Sequence, residues 1–158
     1  MALNFSISSI QRKAKHYCSY QERSHKEVIQ KLYSFGIRKT EVEQIVAWLI
    51  EENYLNEERF AIQFASGRFK LKKWGRIKIK YELQQKCISQ SNIRTALEKI
   101  DETSYEKVLA TLARKKFASL KTGTIAIRRL KTYQYLAQKG YERSLIQPAL
   151  AKLNIEEQ

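Results

Sequence analysis

The same spacing of apolar and turn residues occurs three times along this chain, and this repeat limits the folds open to it. The first copy consists of Leu32, Gly36, Ile37, Val42, Ile45, Val46 and Leu49. The second consists of Leu83, Cys87, Ile88, Ile93, Ala96, Leu97 and Ile100. The third consists of Leu136, Gly140, Tyr141, Ile146, Ala149, Leu150 and Leu153. A period of about fifty residues is typical of helical arrays, whose units bury apolar faces against each other. Such arrays usually provide an extended surface that binds an elongated partner.

Turn residues and apolar periodicity both favour helices between the repeated positions. The chain has one proline and five glycines, which are few turn-forming residues for a β protein. Apolar residues recur every three or four positions, as they do on one face of an α-helix. The predicted helices span 9–20, 25–35, 41–52, 57–71, 76–86, 92–100, 105–118, 125–138 and 143–153. We therefore predict an all-α fold of three tandem three-helix repeats, with about nine helices in an elongated, curved array.

The repeat also predicts the domain boundaries. The first three-helix repeat, with an N-terminal tail, spans 1–53, and the second spans 54–101. The third spans 102–158 and includes a short C-terminal tail. Gly36 and Gly140 stand where helices should end, because a left-handed backbone is easiest without a Cβ.

Polar residues predict where several helices begin. Thr40 with Glu43 has the spacing of a capping box, and Ser91 and Ser144 occupy the Thr40 position in the later copies. Asn56 precedes two glutamates, whose charge favours a helix N-terminus. These residues are predicted to be N-caps.

The two cysteines are predicted to be free thiols. Cys18 and Cys87 have neither metal-ligand nor redox spacing. We expect both to be buried in a protein of the reducing cytosol. Because Cys87 stands where the sister copies have glycine, we expect a role in packing or in the turn for it rather than a reactive thiol.

Charge is distributed very unevenly. The net charge is +14, which suggests an anionic partner. Residues 59–81 contain eight cations and no carboxylate, and residues 107–141 contain nine cations and no carboxylate. The two stretches occupy corresponding places in successive repeats, so stacking should gather their cations on one side. A cationic stripe matches a phosphodiester backbone. The alternative is that these cations only solvate helix faces.

Aromatic residues are interleaved with the cations. Phe69, Phe117 and Tyr141 repeat with apolar neighbours, so we expect them to be buried. Trp74 precedes Gly75 at a helix junction, where packing and stacking on a single-stranded base are equally good interpretations.

No pattern of catalytic or cofactor-binding residues occurs. His16 and His25 have no cysteine or carboxylate at metal-ligand spacing, and there is no phosphate-binding glycine loop or nucleophile elbow. We therefore expect a non-enzymatic protein without cofactor or metal. No apolar run approaches the ~20 residues that a bilayer requires, so no membrane partner is expected.

Five segments of the chain resemble one known family. Residues 74–88 read W-G-R-I-K-I-K-Y-E-L-Q-Q-K-C-I and resemble the W-G-x-x-[KR]-I-x-x-E-L-x-x-K-G-[IV] core of the bacterial RecX regulatory proteins. Residues 54–61 look like that family's L-[DN]-[DE]-x-R-[FY]-A segment, and residues 22–28 are similar to its R-x-S-x-x-E-[LV] start. Residues 114–117 and the helix pair around Gly140 fit its third unit. The likeness covers about residues 12–153 and departs from the pattern at Cys87.

The resemblance implies a cytoplasmic modulator of the RecA recombinase. Proteins of this family consist of three tandem three-helix units that bind the RecA–single-stranded DNA filament in its groove and mostly inhibit its assembly, ATPase and recombinase activity. The implied partners are the RecA filament and single-stranded DNA, with duplex DNA as a further candidate, and the protein is expected to act as a monomer. The family has no catalytic residues to transfer.

Charge placement, and not the family, selects the candidate contacts with a nucleoprotein filament. They are Arg68, Lys72, Lys73, Trp74, Arg76, Lys78, Arg114, Lys115, Arg128, Arg129 and Lys131.

Rival functions make different demands on the sequence. A general nucleic-acid-binding helical-repeat protein, acting without a recombinase, is the main alternative. A scaffold that binds only protein would show no salt-dependent affinity for DNA. A base-reading helix-turn-helix would need an Arg, Asn and Gln cluster on one helix, which no copy has.

Overall fold

The computed structural model describes residues 6–156 as helices and the turns that join them. Within this range there are nine α-helices and no strand. The helices are α1 Ile7–Tyr20, α2 His25–Tyr33, α3 Lys39–Glu51, α4 Glu57–Lys72, α5 Arg76–Gln85, α6 Gln90–Glu98, α7 Glu102–Ser119, α8 Ile125–Gln138 and α9 Arg143–Glu156. The all-α prediction is confirmed. None of the described helices is long and apolar enough to span a membrane.

Contacts divide the chain into two compact units. Unit 1 comprises Met1–Phe64 and Leu83–Thr95, and unit 2 comprises Ala65–Glu82 and Ala96–Gln158. Helices α4, α5 and α6 therefore each supply one part to each unit. The predicted repeat boundaries and the elongated, curved arrangement stay predictions.

The core of unit 1 is built from the apolar faces of α1, α2 and α3. Its fully buried members include Ile10, Val28, Leu32 and Leu49, which lie three or four positions apart from other apolar residues on their helices. Cys18 belongs to this core, and burial raises the pKa of its thiol to about 11. The prediction of a buried thiol is correct for this cysteine.

The three repeated turns have the same backbone conformation. Gly36, Cys87 and Gly140 have φ of +79°, +61° and +97°, and each donates its N–H to the carbonyl three residues earlier at 3.0 Å. A left-handed residue after the last helical turn is a common way to satisfy terminal carbonyls. The predicted turn role of Cys87 is confirmed. Its predicted burial is wrong, because a residue at this helix end projects its side chain into solvent.

The predicted helix starts are only partly correct. Thr40, Ser91 and Ser144 are the second residues of α3, α6 and α9, so each of these helices begins two residues earlier than an N-cap at that position would require. The N-cap of α3 is Arg38, which makes no side-chain capping hydrogen bond. Asn56 does cap α4, since its Oδ1 accepts the N–H of the third helical residue at 2.9 Å.

Candidate functional site

The start of α5 is joined to the end of α8 by backbone hydrogen bonds. The N–H of Gly75 donates to the carbonyl of Lys139 at 2.7 Å, and the N–H of Ile77 donates to that of Gly140 at 2.9 Å. A Cβ added to Gly75 would lie 2.3 Å from the carbonyl carbon of Gly140. Only glycine permits this approach. The junction brings the residues that precede α5 next to the last residues of α8.

Arg76 is held in a network of carboxylates beside this junction. Its Nη1 donates to Glu142 Oε2 at 2.8 Å, its Nη2 pairs with Glu102, and its guanidinium lies 3.8 Å from the centre of the Tyr105 ring. Desolvation lowers the pKa of Arg76, but the Glu142 hydrogen bond and neighbouring charges outweigh it, so the net pKa is raised. Two carboxylates therefore neutralise this cation, which links α5 to α7 and to the start of α9.

The buried rings of Phe69, Tyr105 and Tyr141 pack together next to this network. The Tyr105 ring centre lies 5.7 Å from that of Phe69 and 5.1 Å from that of Tyr141. The Tyr105 hydroxyl accepts the Arg76 N–H at 3.0 Å and donates to Glu142. Desolvation raises the pKa of both tyrosines. The predicted burial of Phe69 and Tyr141 is confirmed, as is that of Phe117.

Trp74 stands at the centre of a group of cations. The guanidinium carbon of Arg68 lies 5.5 Å from the centre of its half-buried ring. The Nζ atoms of Lys72 and Lys78 lie 5.4 and 4.5 Å from the same centre. Cations within about 6 Å of an indole face are attracted to it by roughly 0.5–1 kcal/mol at exposed sites. The ring therefore holds together cations that would otherwise repel one another.

A second ring extends this group towards α7. Lys116 and Lys139 have their Nζ atoms 5.1 and 5.7 Å from the centre of the Tyr135 ring, and Lys139 also donates to the carbonyl of Lys72 at 3.1 Å. We call this set the Trp74–Tyr135 cluster. Its members are Arg68, Lys72, Trp74, Lys78, Lys116, Tyr135 and Lys139.

Among the described residues, no carboxylate neutralises the lysines of the Trp74–Tyr135 cluster. Within the part of the chain that the structure describes, Lys72, Lys78, Lys116 and Lys139 make no ion pair with a carboxylate. Their contacts are with rings and one backbone carbonyl, which orient a cation without neutralising it. The cluster is therefore a concentrated positive surface of unit 2.

The remaining predicted contacts do not join this cluster in the structure. Arg128 lies 4.1 Å from the Phe117 ring centre and donates to the Phe117 carbonyl at 3.1 Å, so it stabilises the C-terminus of α7. Arg129 is half-buried beside α9. Lys73, Arg114, Lys115 and Lys131 are exposed. Of the predicted set, the structure thus brings together Arg68, Lys72, Trp74 and Lys78.

Three members of the cluster were absent from the sequence-based candidates. All three lie in the second carboxylate-free stretch. Lys116 precedes Phe117 as Arg68 precedes Phe69, and this correspondence could have identified it, whereas nothing in the local pattern separates Tyr135 and Lys139 from the other residues of the stretch. Lys139 directly precedes the Gly140 turn, and the long-range contact of that turn with Gly75 brings it into the cluster. Among the described residues, no group of three or more His, Cys, Asp or Glu side chains could hold a metal ion.

Sequence profiles match two parts of the chain. Residues 56–97 match the second three-helix domain of RecX, and residues 104–150 match the third.

Curated relatives extend the match over most of the chain. The regulatory protein RecX of Staphylococcus haemolyticus is 30% identical over 144 residues, 91% of this chain and 54% of that protein, so the chain spans about half of that relative's length. RecX of Chromobacterium violaceum is 29% identical over 90% of both chains. RecX of Chlorobium phaeobacteroides is 30% identical over 84% of this chain and 85% of its own.

Solved structures share the fold. The crystal structure of RecX from Lactobacillus salivarius aligns with a TM-score of 0.87 at 26% identity, over 94% of this chain and 97% of that one. A second crystal structure, of regulatory protein RecX, aligns with a TM-score of 0.78 at 25% identity, over 89% of this chain and 71% of that one.

Proposed function

Because the chain belongs to the RecX family of non-enzymatic regulatory proteins, as its motifs predict, we propose that it regulates the RecA recombinase. In this proposal it binds the filament that the recombinase forms on single-stranded DNA and limits the filament's assembly, ATPase and recombinase activity. It acts in the cytoplasm, as a monomer and without a cofactor.

The observation that carries this proposal is the Trp74–Tyr135 cluster. Four lysines without a carboxylate partner among the described residues surround two rings on one unit. A phosphodiester backbone bound there releases its condensed counterions, which favours binding at low salt. A filament that contains both DNA and protein offers such phosphates beside protein surface.

The tandem repeats suggest how binding is converted into inhibition. Three similar units in one chain can contact more than one recombinase subunit at once. A bound chain then opposes the addition of further subunits, and it opposes the ATP-coupled changes between neighbours. The regulation is therefore steric and needs no chemistry at the surface.

The experiment compares two double variants in a recombinase ATPase assay on single-stranded DNA. Lys72→Glu/Lys78→Glu reverses two charges of the cluster. Lys70→Glu/Lys80→Glu reverses two charges on the same helices but on opposite faces, because two positions along an α-helix differ by about 200°. Both controls are exposed lysines of the same carboxylate-free stretch.

We expect the cluster variant to need at least about tenfold more protein for half-maximal inhibition, a change of about 1.4 kcal/mol. The control variant should stay within about threefold of the wild type. Equal losses in both variants would mean that total charge, and not the cluster, determines inhibition, and would overturn the assignment. Far-UV circular dichroism checks that both variants fold.

The same assay separates regulation of a recombinase from general nucleic-acid binding. A regulator of the filament inhibits the ATPase well below the concentration that coats bare single-stranded DNA. A general nucleic-acid-binding protein inhibits only when it covers the DNA. Equal concentrations for the two effects would favour that alternative.

A further inference from the structure

A second basic surface lies in unit 1, in a groove between α1 and α2. The groove has a volume of about 790 Å³, which is in the range of ligand sites, and it is largely open to solvent. None of the predicted contact residues lies in it. It is a separate feature from the Trp74–Tyr135 cluster.

One face of α1 forms the first wall of the groove. Arg12, Lys13, His16, Tyr17 and Tyr20 all line it, as two adjacent pairs and one further residue that follow one another at intervals of three to four positions. This spacing places them on one side of the helix. From Arg12 to Tyr20 the wall extends about 12 Å, at a rise of 1.5 Å per residue.

The opposite wall adds two cations and a third ring. Arg23 stacks on Tyr17, with 3.8 Å between its guanidinium carbon and the ring centre, and its Nε donates to the Tyr17 carbonyl at 3.0 Å. Lys31 on α2 has its Nζ 5.5 Å from the Tyr17 ring centre and 5.7 Å from that of Phe35. These contacts hold the cations in place before any ligand binds, which lowers the entropic cost of binding.

The groove is positive because the nearby carboxylates are used elsewhere. Among its described lining residues there is no Asp or Glu. Glu22 pairs with Arg59, and Glu27 pairs with Lys86 at 3.2 Å, and neither glutamate is among the described lining residues. An anion in the groove therefore meets cations on both walls without a repelling group between them.

Tyr20 gives the groove an exposed aromatic surface. Its side chain is 76% exposed at the end of α1, although a large ring gains from burial. The Arg23 guanidinium lies 6.0 Å from its centre, on the side of the groove. A ring held beside cations is the arrangement on which single-stranded bases stack while their phosphates pair with the cations.

We infer that the α1–α2 groove binds single-stranded nucleic acid, with Arg12, Lys13 and Lys31 on phosphates and Tyr20 stacked on a base. The inference rests on the proposed function, since it gives unit 1 a place on the same DNA that the filament contains. A single strand fits better than a duplex because only unpaired bases offer their faces to a ring.

The test measures binding of a fluorescein-labelled oligothymidylate of about 15 nucleotides, without recombinase, by fluorescence anisotropy. Arg12→Gln/Lys31→Gln removes one arginine and one lysine from the groove. Arg38→Gln/Lys39→Gln removes the same pair of residue types from the exposed start of α3 and serves as the matched control. Tyr20→Ala removes the ring, and Tyr33→Ala removes a 45% exposed tyrosine of α2 that does not line the groove.

We expect Arg12→Gln/Lys31→Gln to reduce the slope of log affinity against log salt by about 1.4, at about 0.7 per phosphate. Tyr20→Ala should weaken binding to oligothymidylate at least about fivefold without changing that slope. The two controls should behave like the wild type.

Two results would overturn the inference. One is an equal slope for the groove variant and its control, and the other is an equal effect of Tyr20→Ala on the oligothymidylate and on a duplex of the same length. The outcome is separate from that of the proposed function. If groove variants bind oligothymidylate normally while the Lys72→Glu/Lys78→Glu variant loses ATPase inhibition, only the groove assignment fails.

Discussion

Replacing Gly75 with alanine should destabilise unit 2 strongly, because the added methyl group has no space. The new Cβ would stand 2.3 Å from both the carbonyl carbon and the carbonyl oxygen of Gly140, and 2.4 Å from the N–H nitrogen of Tyr141. All three are backbone atoms, so no side chain can rotate away. The start of α5 must move by about 1 Å to restore an ordinary contact distance.

The cost follows from what this movement breaks. The hydrogen bonds of Gly75 to Lys139 and of Ile77 to Gly140 lengthen beyond useful geometry, at about 1 kcal/mol each. Overpacking of a tight contact adds about 1–3 kcal/mol. The total is about 3–5 kcal/mol, which is a large part of the stability of an ordinary domain.

Urea unfolding can assign this loss to the correct unit. The chain has two tryptophans, Trp48 in unit 1 and Trp74 in unit 2. In a Trp48→Phe background, fluorescence reports unit 2 and circular dichroism reports the whole chain. With an m-value of about 2 kcal/mol per molar urea, Gly75→Ala should lower the fluorescence midpoint by about 2 M.

Gly67→Ala is the matched control. Gly67 lies in the interior of α4, and a Cβ there meets no heavy atom within 4 Å. Alanine is favoured over glycine in a helix interior by about 1 kcal/mol, so this variant should raise the midpoint by about 0.5 M. A loss below about 1 kcal/mol for Gly75→Ala, or the same direction of change in both variants, would refute the reasoning.

Four further predictions concern individual side chains. Cys87→Gly should raise the free energy of unfolding in urea by about 0.5–1 kcal/mol, because it removes the strain of a left-handed backbone at a non-glycine residue. The greater flexibility of glycine in the unfolded chain offsets part of this gain. A loss of stability would contradict this prediction. Iodoacetamide at about pH 8 should label Cys87 rapidly and Cys18 only on unfolding, as mass spectrometry can check, since Cys18 is buried with its pKa raised to about 11. Because that folded pKa lies above the ordinary value of about 9, the stabilising contribution of the Cys18 thiol is complete below about pH 9 and is lost as the pH rises to about 11. Equal labelling of both thiols in the folded protein would exclude this account. Tyr105→Phe should cost about 1–3 kcal/mol in the Trp74 fluorescence transition, because the N–H of Arg76 and the carboxylate of Glu142 both lose a partner; an unchanged midpoint would show that water replaces the hydroxyl.

The repeated turns could be predicted from the sequence because their requirement is local. Gly36, Cys87 and Gly140 occupy one position in a repeated apolar pattern, and a left-handed backbone at that position satisfies the helix C-terminus whichever residue stands there. The alignment therefore predicted the turn at Cys87 even though the residue type did not. The helix starts were less predictable. Thr40 and Glu43 keep the spacing of a capping box in the sequence although Thr40 lies inside α3 and Arg38 is the N-cap.

The candidate site was less predictable because its contacts join distant parts of the chain. Arg76 belongs to a stretch without carboxylates, yet Glu102 and Glu142 neutralise it from 26 and 66 residues away. Lys139 reaches the Lys72 carbonyl across 67 residues. A local charge count cannot register such pairs. The residues of the α1 wall follow a helical period, but they form a shorter cationic stretch than residues 59–81 and 107–141, so a count of charges favours those two stretches.

Binding to preassembled recombinase filaments on single-stranded DNA tests the central claim most directly. Fluorescently labelled wild-type protein, Lys72→Glu/Lys78→Glu and Lys70→Glu/Lys80→Glu are titrated with filaments in parallel, and the dissociation constants are compared. We predict at least about tenfold weaker binding for the cluster variant and wild-type binding for the control, with the difference shrinking as salt rises. Filament affinity equal to that of the wild type in a folded cluster variant would contradict the assignment of the Trp74–Tyr135 cluster as the binding surface.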